Sequence, residues 1–328
     1  MRSDGAMEIP TPADFERARE RIAGALKRTP LHSASQLGRM SGTELLLKLE
    51  LFQKTGSFKP RGCLNRIAQW TTEEKARGIV TVSAGNHAQA AAWAASREGI
   101  ACTVVMPASA PLSKRQAAAG YGAEIVLHDD MLTIFERTAE IQQTTGSTFL
   151  HPYDDPFVVA GAGTVGFEIL EDAPAAGTIV VPVGGGGLLS GIAAAVRSIP
   201  GKDSSRIRII GVEPVGAPTL TRAIEAGASV RLSSINTIAD GLSAPFAGTL
   251  NLEIARTMVD EVVLVSDDEI RVAMRMLAAR CKVLAEPAGA AAVAAVLAGR
   301  LRPQPGPVVA VVSGGNVDLD RLAEILAG

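Results

Sequence analysis

Aromatic residues are scarce in this 328-residue chain: eight Phe, two Tyr and two Trp. Packing must come from Ala, Val, Leu and Ile, which suits helices laid closely on parallel sheets covered on both faces. Cysteines are also few. Cys63, Cys102 and Cys281 are odd in number, widely spaced and form no C-x-x-C pair, which argues against a disulfide framework or structural zinc and fits a reducing cytoplasm. Charge of one sign is lacking too. With 32 basic against 34 acidic residues the net is −2, and no like-charged run offers a grip on nucleic acid or an anionic membrane. Residues 1–11 (MRSDGAMEIPT) hold no signal-like apolar stretch, and runs such as 288–298 are short and alanine-rich, which reads as buried helix rather than membrane span.

What is present is a long alternation of apolar strands and amphipathic helices. At 47% hydrophobic residues, and beyond the roughly 250–300 residues at which single cores divide, the chain is expected to form two domains. Phe15, Ala18, Ile22 and Leu26 recur at helical spacing after Thr11, which predicts a first helix over 12–26. Strands are predicted at 44–49, 79–83, 102–106, 124–127, 179–183, 207–212, 262–265 and 308–312. Helices are predicted at 58–70, 88–96, 131–143, 156–170, 268–280 and 287–298, with another after the glycine run to residue 197, and 301–307 reads as a rigid surface connection. Such alternation implies parallel sheets.

Four segments carry chemistry. In Ser57-Phe58-Lys59-Pro60-Arg61-Gly62, a lysine placed between an aromatic and a proline can condense with an aldehyde if an apolar pocket lowers its pKa; taken alone, the segment also reads as a solvated lysine. Pro182-Val183-Gly184-Gly185-Gly186-Gly187-Leu188-Leu189-Ser190-Gly191 sets four glycines between a buried strand and a helix. Their N–H groups can turn inward together beside the helix N-terminus and hold a phosphate. The contiguous glycines match neither a dinucleotide fingerprint nor a Walker loop. Ser83-Ala84-Gly85-Asn86-His87-Ala88-Gln89 offers N–H donors at a helix start for a carboxylate, and an amide for a ring oxygen; an ordinary Asn cap is the alternative. His87 reads as a hydrogen-bonded structural histidine, without the spacing of a metal ligand. Val311-Val312-Ser313-Gly314-Gly315-Asn316 again ends a strand with a hydroxyl and two glycines. Ligands of open α/β sheets sit at such carboxyl ends, so one ring bearing an aldehyde and a phosphate accounts for all four.

SFKPRG, SAGNHAQ, PVGGGGLLSGI, GVEP, TIADGL and VVSGGNVDL, in this order across residues 29–319, resemble the pyridoxal-phosphate enzymes of the tryptophan-synthase β fold. The likeness is nearest to threonine/serine dehydratases and serine racemase. It implies an α/β, two-domain fold with open, mostly parallel sheets: a large cofactor domain (1–80 and 152–328) and a small substrate domain (81–151). It implies that Lys59 forms the Schiff base beside Phe58 and that Asn86 bonds the ring 3-hydroxyl. Gly184, Gly185, Gly186, Gly187 and Leu188 would hold the phosphate, Gly241 and Glu286 would line the ring, and Ser313 would meet the pyridine nitrogen. The substrate would lie on Ser83, Ala84, Gly85, Asn86 and His87. The implied reaction is loss of water from L-threonine or L-serine to give a 2-oxo acid and ammonia, by a cytoplasmic homo-oligomer, dimer or tetramer. Serine racemase or 3-hydroxyaspartate dehydratase is the alternative within the fold, and a non-catalytic phosphate or nucleotide module the alternative outside it.

Two positions depart from the racemase pattern. Ala84 stands where racemases carry a second serine, and a methyl group cannot exchange a proton. The racemase divalent-metal site would use Glu213 and the carbonyl of Ala217, but Thr219 replaces its Asp, so a dication would bind weakly and a monovalent ion or water could take the place. Glu213 also reads as a plain strand-end carboxylate. Only 320–328 follow the last motif, so no C-terminal regulatory domain, and no isoleucine feedback through one, is expected.

Overall fold

The computed structural model describes residues 8–130, 133–199, 206–302 and 305–327. Its strands are β1 (Leu31–Ser33), β2 (Leu45–Leu49), β3 (Ile79–Val82), β4 (Cys102–Pro107), β5 (Glu124–His128), β6 (Thr148–Phe149), β7 (Thr178–Pro182), β8 (Arg208–Pro214), β9 (Glu261–Val265) and β10 (Val308–Val312). They lie in two sheets. One is six-stranded in the order β1-β2-β10-β7-β8-β9, and the other is four-stranded in the order β5-β4-β3-β6. Every described strand pairing is parallel except β1 with β2. The smaller sheet is an insertion, since β10 near the end of the chain pairs with β2 near its start, Val308 opposite Leu45.

The helices are α1 (Pro12–Ile22), α2 (Ser35–Ser41), α3 (Pro60–Ile67), α4 (Thr72–Ala76), α5 (Asn86–Arg97), α6 (Leu112–Gly120), α7 (Ile134–Thr145), α8 (Pro156–Asp172), α9 (Gly187–Arg197), α10 (Thr219–Ala226), α11 (Thr249–Met258), α12 (Asp267–Met276), α13 (Pro287–Leu297) and α14 (Leu319–Ala327). Strand alternation feeds both faces of the large sheet. Ile179 and Val181 of β7 join Phe15, Val159 and Leu189 under α1, α8 and α9, while Val180 joins Met274, Val293 and Leu322 under α12, α13 and α14. With so few aromatics, backbones approach closely: a Cβ at Gly191 of α9 would stand 2.5 Å from the Val159 carbonyl of α8. The small sheet packs α3, α5 and α6 on one face, around Ile67, Ala91 and Met106, and α7 on the other, around Val80 and Ile134.

Element ends differ from expectation where local chemistry overrides periodicity. The first helix stops at Ile22, since Gly24 turns the chain at φ +74°. The helix expected over 58–70 begins at Pro60, with Lys59 as its cap. That expected over 268–280 ends at Met276 and runs into a π-helical turn (Leu277–Cys281), closed by Lys282 at φ +60°. Of the helix expected over 131–143, Met131 and Leu132 lie outside the described residues, as do residues 303 and 304 of the surface connection and 1–7 of the N-terminal stretch. Among the described residues no helix is long and apolar enough to cross a membrane.

Candidate active site

Pro60 at the first position of α3 fixes the helix start, so Lys59 leaves the backbone where the helix meets the cleft. Its Nζ donates to the Pro152 carbonyl at 2.9 Å and lies 5.2 Å from the Phe58 ring centroid. The stem reaches solvent only in part, and loss of water around the ammonium brings its pKa from 10.5 down to about 8. The neutral amine, the form that attacks a carbonyl, is therefore about a tenth of the population at pH 7, far more than for an ordinary lysine.

The next residue after Pro152, Tyr153, braces the glycine loop. A Cβ at Gly185 would collide with its ring, and one at Gly187 would stand 3.0 Å from its carbonyl. Asn251 holds the other side, donating Nδ2 to Gly185 O at 2.8 Å and to Tyr153 O at 3.1 Å. Gly186 adopts φ +98°, with a Cβ there only 2.7 Å from Asn251 Cβ, so only glycine fits. The N–H groups of Gly184, Gly185, Gly186 and Gly187 have no acceptor among the described residues and stand at the start of α9, which Leu188 continues. Four orphan donors at a helix N-terminus can hold a phosphate.

Asn86 is the first residue of α5, and Gly85, not Asn86, is the cap. Its Nδ2 donates to Glu286 Oε1 at 2.5 Å, and its Oδ1 accepts from Asn316 Nδ2 at 2.8 Å. Glu286 is buried at the cap of α13. Burial raises its pKa to about 7, against the pull of Lys114 and the Asn86 bond. Gly241 and Gly314 close in on this pair: a Cβ on Gly241 would be 4.0 Å from both Asn86 Nδ2 and Glu286 Oε1, and one on Gly314 would strike Glu286. Ser313 is buried at the end of β10, and its carbonyl accepts from Phe58 N at 3.1 Å. Its hydroxyl has no partner among the described residues and is free to meet a ring nitrogen.

In the loop after β3, Ser83 Oγ accepts from Gly85 N at 3.1 Å and closes the turn. Asn86 and His87 open α5, so their N–H groups have no intrahelical acceptor and can meet a carboxylate. The His87 ring is locked elsewhere. Thr81 Oγ1 donates to Leu150 O at 2.6 Å, so it accepts from His87 Nε2 at 2.9 Å, and His87 Nδ1 in turn accepts from Cys63 Sγ at 3.5 Å. Burial drives this ring's pKa well below the ordinary value, and it stays neutral. Ala84 lies within this loop, between Ser83 and Gly85, half-buried at the edge of the small-sheet core.

Glu213 is the next-to-last residue of β8 and is fully buried. Its two oxygens accept from Leu220 N (2.6 Å), Thr221 N (2.9 Å) and Thr221 Oγ1 (2.7 Å) in the first turn of α10. The Ala217 carbonyl accepts from Thr219 N at 2.9 Å, and Thr219 Oγ1 donates to Ala244 O at 3.0 Å. No group of three or more His, Cys, Asp or Glu among the described residues could hold a metal ion.

Sequence reasoning missed Pro152, Tyr153, Asn251, Asn316, Lys114 and Asp240. Only Asn316 and Asp240 stood inside motifs that it singled out. It also missed the anchor behind Lys59. Arg61 is buried and bonds Glu50 through Nε (2.8 Å) and Nη2 (2.9 Å), and Glu168 through Nη1 (2.7 Å), while Lys48 bonds Glu168 at 2.6 Å. A mixed-charge cluster scattered over 120 residues leaves no local signal.

The chain is similar to known proteins over nearly its whole length. The chain is 42% identical over 315 residues to the catabolic L-threonine dehydratase TdcB of Escherichia coli, covering 95% of this chain and 94% of that one. It is 41% identical over 317 residues to the L-threonine ammonia-lyase of Thermotoga maritima, covering 96% and 78%. Among solved structures, maize serine racemase superposes with a TM-score of 0.91 at 38% identity, covering 98% of each chain. A threonine deaminase from T.th. gives 0.86 at 39% identity, covering 94% and 99%. The pyridoxal-phosphate dependent enzyme profile matches residues 22–314, and the chain belongs to that family, with its tryptophan-synthase β-like fold.

Proposed function

We propose that the protein is a pyridoxal-phosphate-dependent dehydratase that removes water from L-threonine or L-serine and releases a 2-oxo acid and ammonia. The observation that carries this reading is Lys59, partly neutral at physiological pH, with its Nζ held on Pro152 O next to the residue that braces four unbonded glycine N–H groups. The relatives named L-threonine dehydratase and L-threonine ammonia-lyase support the substrate.

When bound, the cofactor supplies an electron sink for charge developing at the substrate Cα. Gly184, Gly185, Gly186, Gly187 and Leu188 hold its phosphate; Asn86, oriented by Glu286 and Asn316, meets the ring oxygen beside Gly241; Phe58 flanks the lysine. Lys59 takes the Cα proton, and a pKa near 8 suits a base working near neutral pH. Ser313 gives the ring nitrogen a neutral hydroxyl rather than a carboxylate, so it cannot hold a proton there. Charge at Cα is then short-lived, which favours loss of the β-hydroxyl. The helix start at Asn86 and His87 takes the substrate carboxylate. Ala84 offers no proton to the far face of Cα, which favours dehydration over racemisation even though a serine racemase is among the structural neighbours.

In this reading the small substrate domain begins with β3 at Ile79, because a boundary at Thr81 would cut that strand, and it ends near His151. Glu213 serves as the cap of α10, with its carboxylate committed to N–H and O–H donors rather than to a cation. The homo-oligomer rests on the family resemblance, and sedimentation gives its order.

Lys59→Ala tests the assignment. Borohydride should fix the cofactor mass to Lys59 in the wild type and leave the variant unlabelled. The variant should still bind cofactor non-covalently through the glycine loop and release no 2-oxo acid from L-threonine or L-serine. Turnover by Lys59→Ala at the wild-type rate would sink the reading.

A further inference from the structure

Helix α6 sends two adjacent side chains across from the small sheet to the large body. Ser113 Oγ donates to Asp318 Oδ1 at 2.5 Å, and Lys114 Nζ donates to Asp240 Oδ2. Lys114 is only 9% exposed, a rare position for a lysine. Burying an ammonium is costly unless its donors are used. Yet among the described residues Lys114 Nζ makes a single hydrogen bond, to Asp240, and an ammonium carries three N–H donors.

The direction of those donors is informative. A Cβ on Gly85 would lie 3.4 Å from Lys114 Nζ and 3.6 Å from its Cδ, so the side chain runs directly over the middle of the Ser83–His87 loop. That loop ends in the free N–H groups of α5. The other charged groups facing this point are Glu286, which feels both Lys114 and Asp240, and Arg321, whose Nη1 stands 4.0 Å from Asp240 Oδ2. Arg321 is committed on the far side, donating to Ile238 O at 2.7 Å. Lys114 is thus the cation over Gly85.

We propose that Lys114 is the residue that selects the α-carboxylate of the amino acid, held above Gly85 by Asp240 from the opposite body. The inference deepens the proposed function and rests on its placement of an amino acid on the Ser83–His87 loop. The α5 N-terminus supplies only a partial positive charge to an anion, whereas Lys114 adds the two N–H donors of its ammonium that Asp240 leaves unused, in a place where water is sparse. Asp240 keeps the flexible lysine stem in one direction, so little rotamer freedom remains to be lost when the carboxylate arrives. Because the pair joins the two bodies, the same contact closes the cleft over the amino acid.

The test uses holoenzyme and two ligands that cannot lose water, L-alanine and L-alaninamide, with binding read from the absorbance of the bound cofactor. Lys114→Met should weaken L-alanine binding about tenfold or more, the range for losing a hydrogen bond to a charged group. L-alaninamide, which has no carboxylate, should change less than about twofold, and Lys114→Arg should restore most of the L-alanine affinity. Should Lys114→Met not fold, Lys114→Gln removes the charge while keeping a donor toward Asp240, and the same comparison applies. Equal losses for both ligands, or none for L-alanine, overturn the proposal. Neither measurement needs turnover. Failure of the dehydratase reading would appear separately, as no 2-oxo acid from L-threonine or L-serine by wild-type enzyme that still binds L-alanine.

Discussion

Asn316 donates its side-chain amide to Asn86 Oδ1 at 2.8 Å, and this bond decides which way the Asn86 amide points. With Oδ1 occupied as acceptor, Nδ2 is turned to Glu286, and its second N–H is left for the ring oxygen of a cofactor. The same Asn316 Nδ2 donates to Thr55 O at 2.7 Å, pinning a loop in which Thr55 takes φ +58° just before Lys59. A non-glycine residue in that region is strained and persists only where its surroundings hold it. Asn316→Ala should therefore weaken cofactor binding about tenfold, the worth of one or two hydrogen bonds. Titration of apoprotein followed by the cofactor's absorbance measures it; unchanged affinity would show that Asn86 is oriented without Asn316.

Arg61 anchors α3 two residues beyond Lys59, and its guanidinium and the Glu50 carboxylate are both buried. Removing one partner of a buried pair leaves the opposite charge stranded, which typically costs about 3–5 kcal/mol. Arg61→Met should lose stability on that scale in denaturant unfolding, with Glu50 and Glu168 left facing each other. A loss below about 1 kcal/mol would mean that water or a nearby cation such as Lys48 takes over the carboxylates.

Glu213 gives a pH signature. Burial raises its carboxyl from 4.5 to about 7 in the folded chain, although the bonds from Leu220 and Thr221 favour the charged form. The folded state therefore holds the proton more tightly than the unfolded one. The stability this confers is whole below about pH 4.5 and is lost as pH rises toward about 7, by up to about 1.4 kcal/mol per pH unit. Glu213→Gln cannot titrate. Its unfolding free energy should be flatter than wild type between about pH 5 and 7, and parallel curves would place the carboxyl at its ordinary pKa.

How much of this could be read beforehand follows from what each residue uses. The backbone positions of Lys59, Gly186 and Ser313 are legible because each depends on its immediate neighbours: a proline at a helix start, a positive φ between strand and helix, a strand end. The strands of the large sheet are legible for a similar reason, since a run such as Val308–Val312 is buried on both faces. Asn316, Tyr153, Asn251 and Lys114 act across the fold. Asn316 reaches Asn86 over 230 positions and Lys114 reaches Asp240 over 126, and no periodicity reports such pairs. The short β1 and β6 escape for another reason: three and two residues are too few to establish an alternation.

Under the proposed function, Ala84 is the position that tells elimination from racemisation. Inversion at Cα needs a proton delivered to the face opposite Lys59, and general acid–base help of that kind is typically worth about 10²–10⁴-fold in rate. The methyl group of Ala84 can supply none. The alternative histidine, His87, is neutral and spent on Thr81 and Cys63, so it cannot stand in. In the proposed reading elimination draws on Lys59 at the near side for the Cα proton, and it loses nothing when residue 84 is apolar. L-Serine should therefore give pyruvate and ammonia with very little D-serine. Ala84→Ser places a hydroxyl next to Gly85 and should raise D-serine formation by at least about tenfold while changing pyruvate release far less. Chiral chromatography of the two reactions measures both products. Wild-type racemisation as fast as elimination would instead assign the far-face proton to a group other than residue 84.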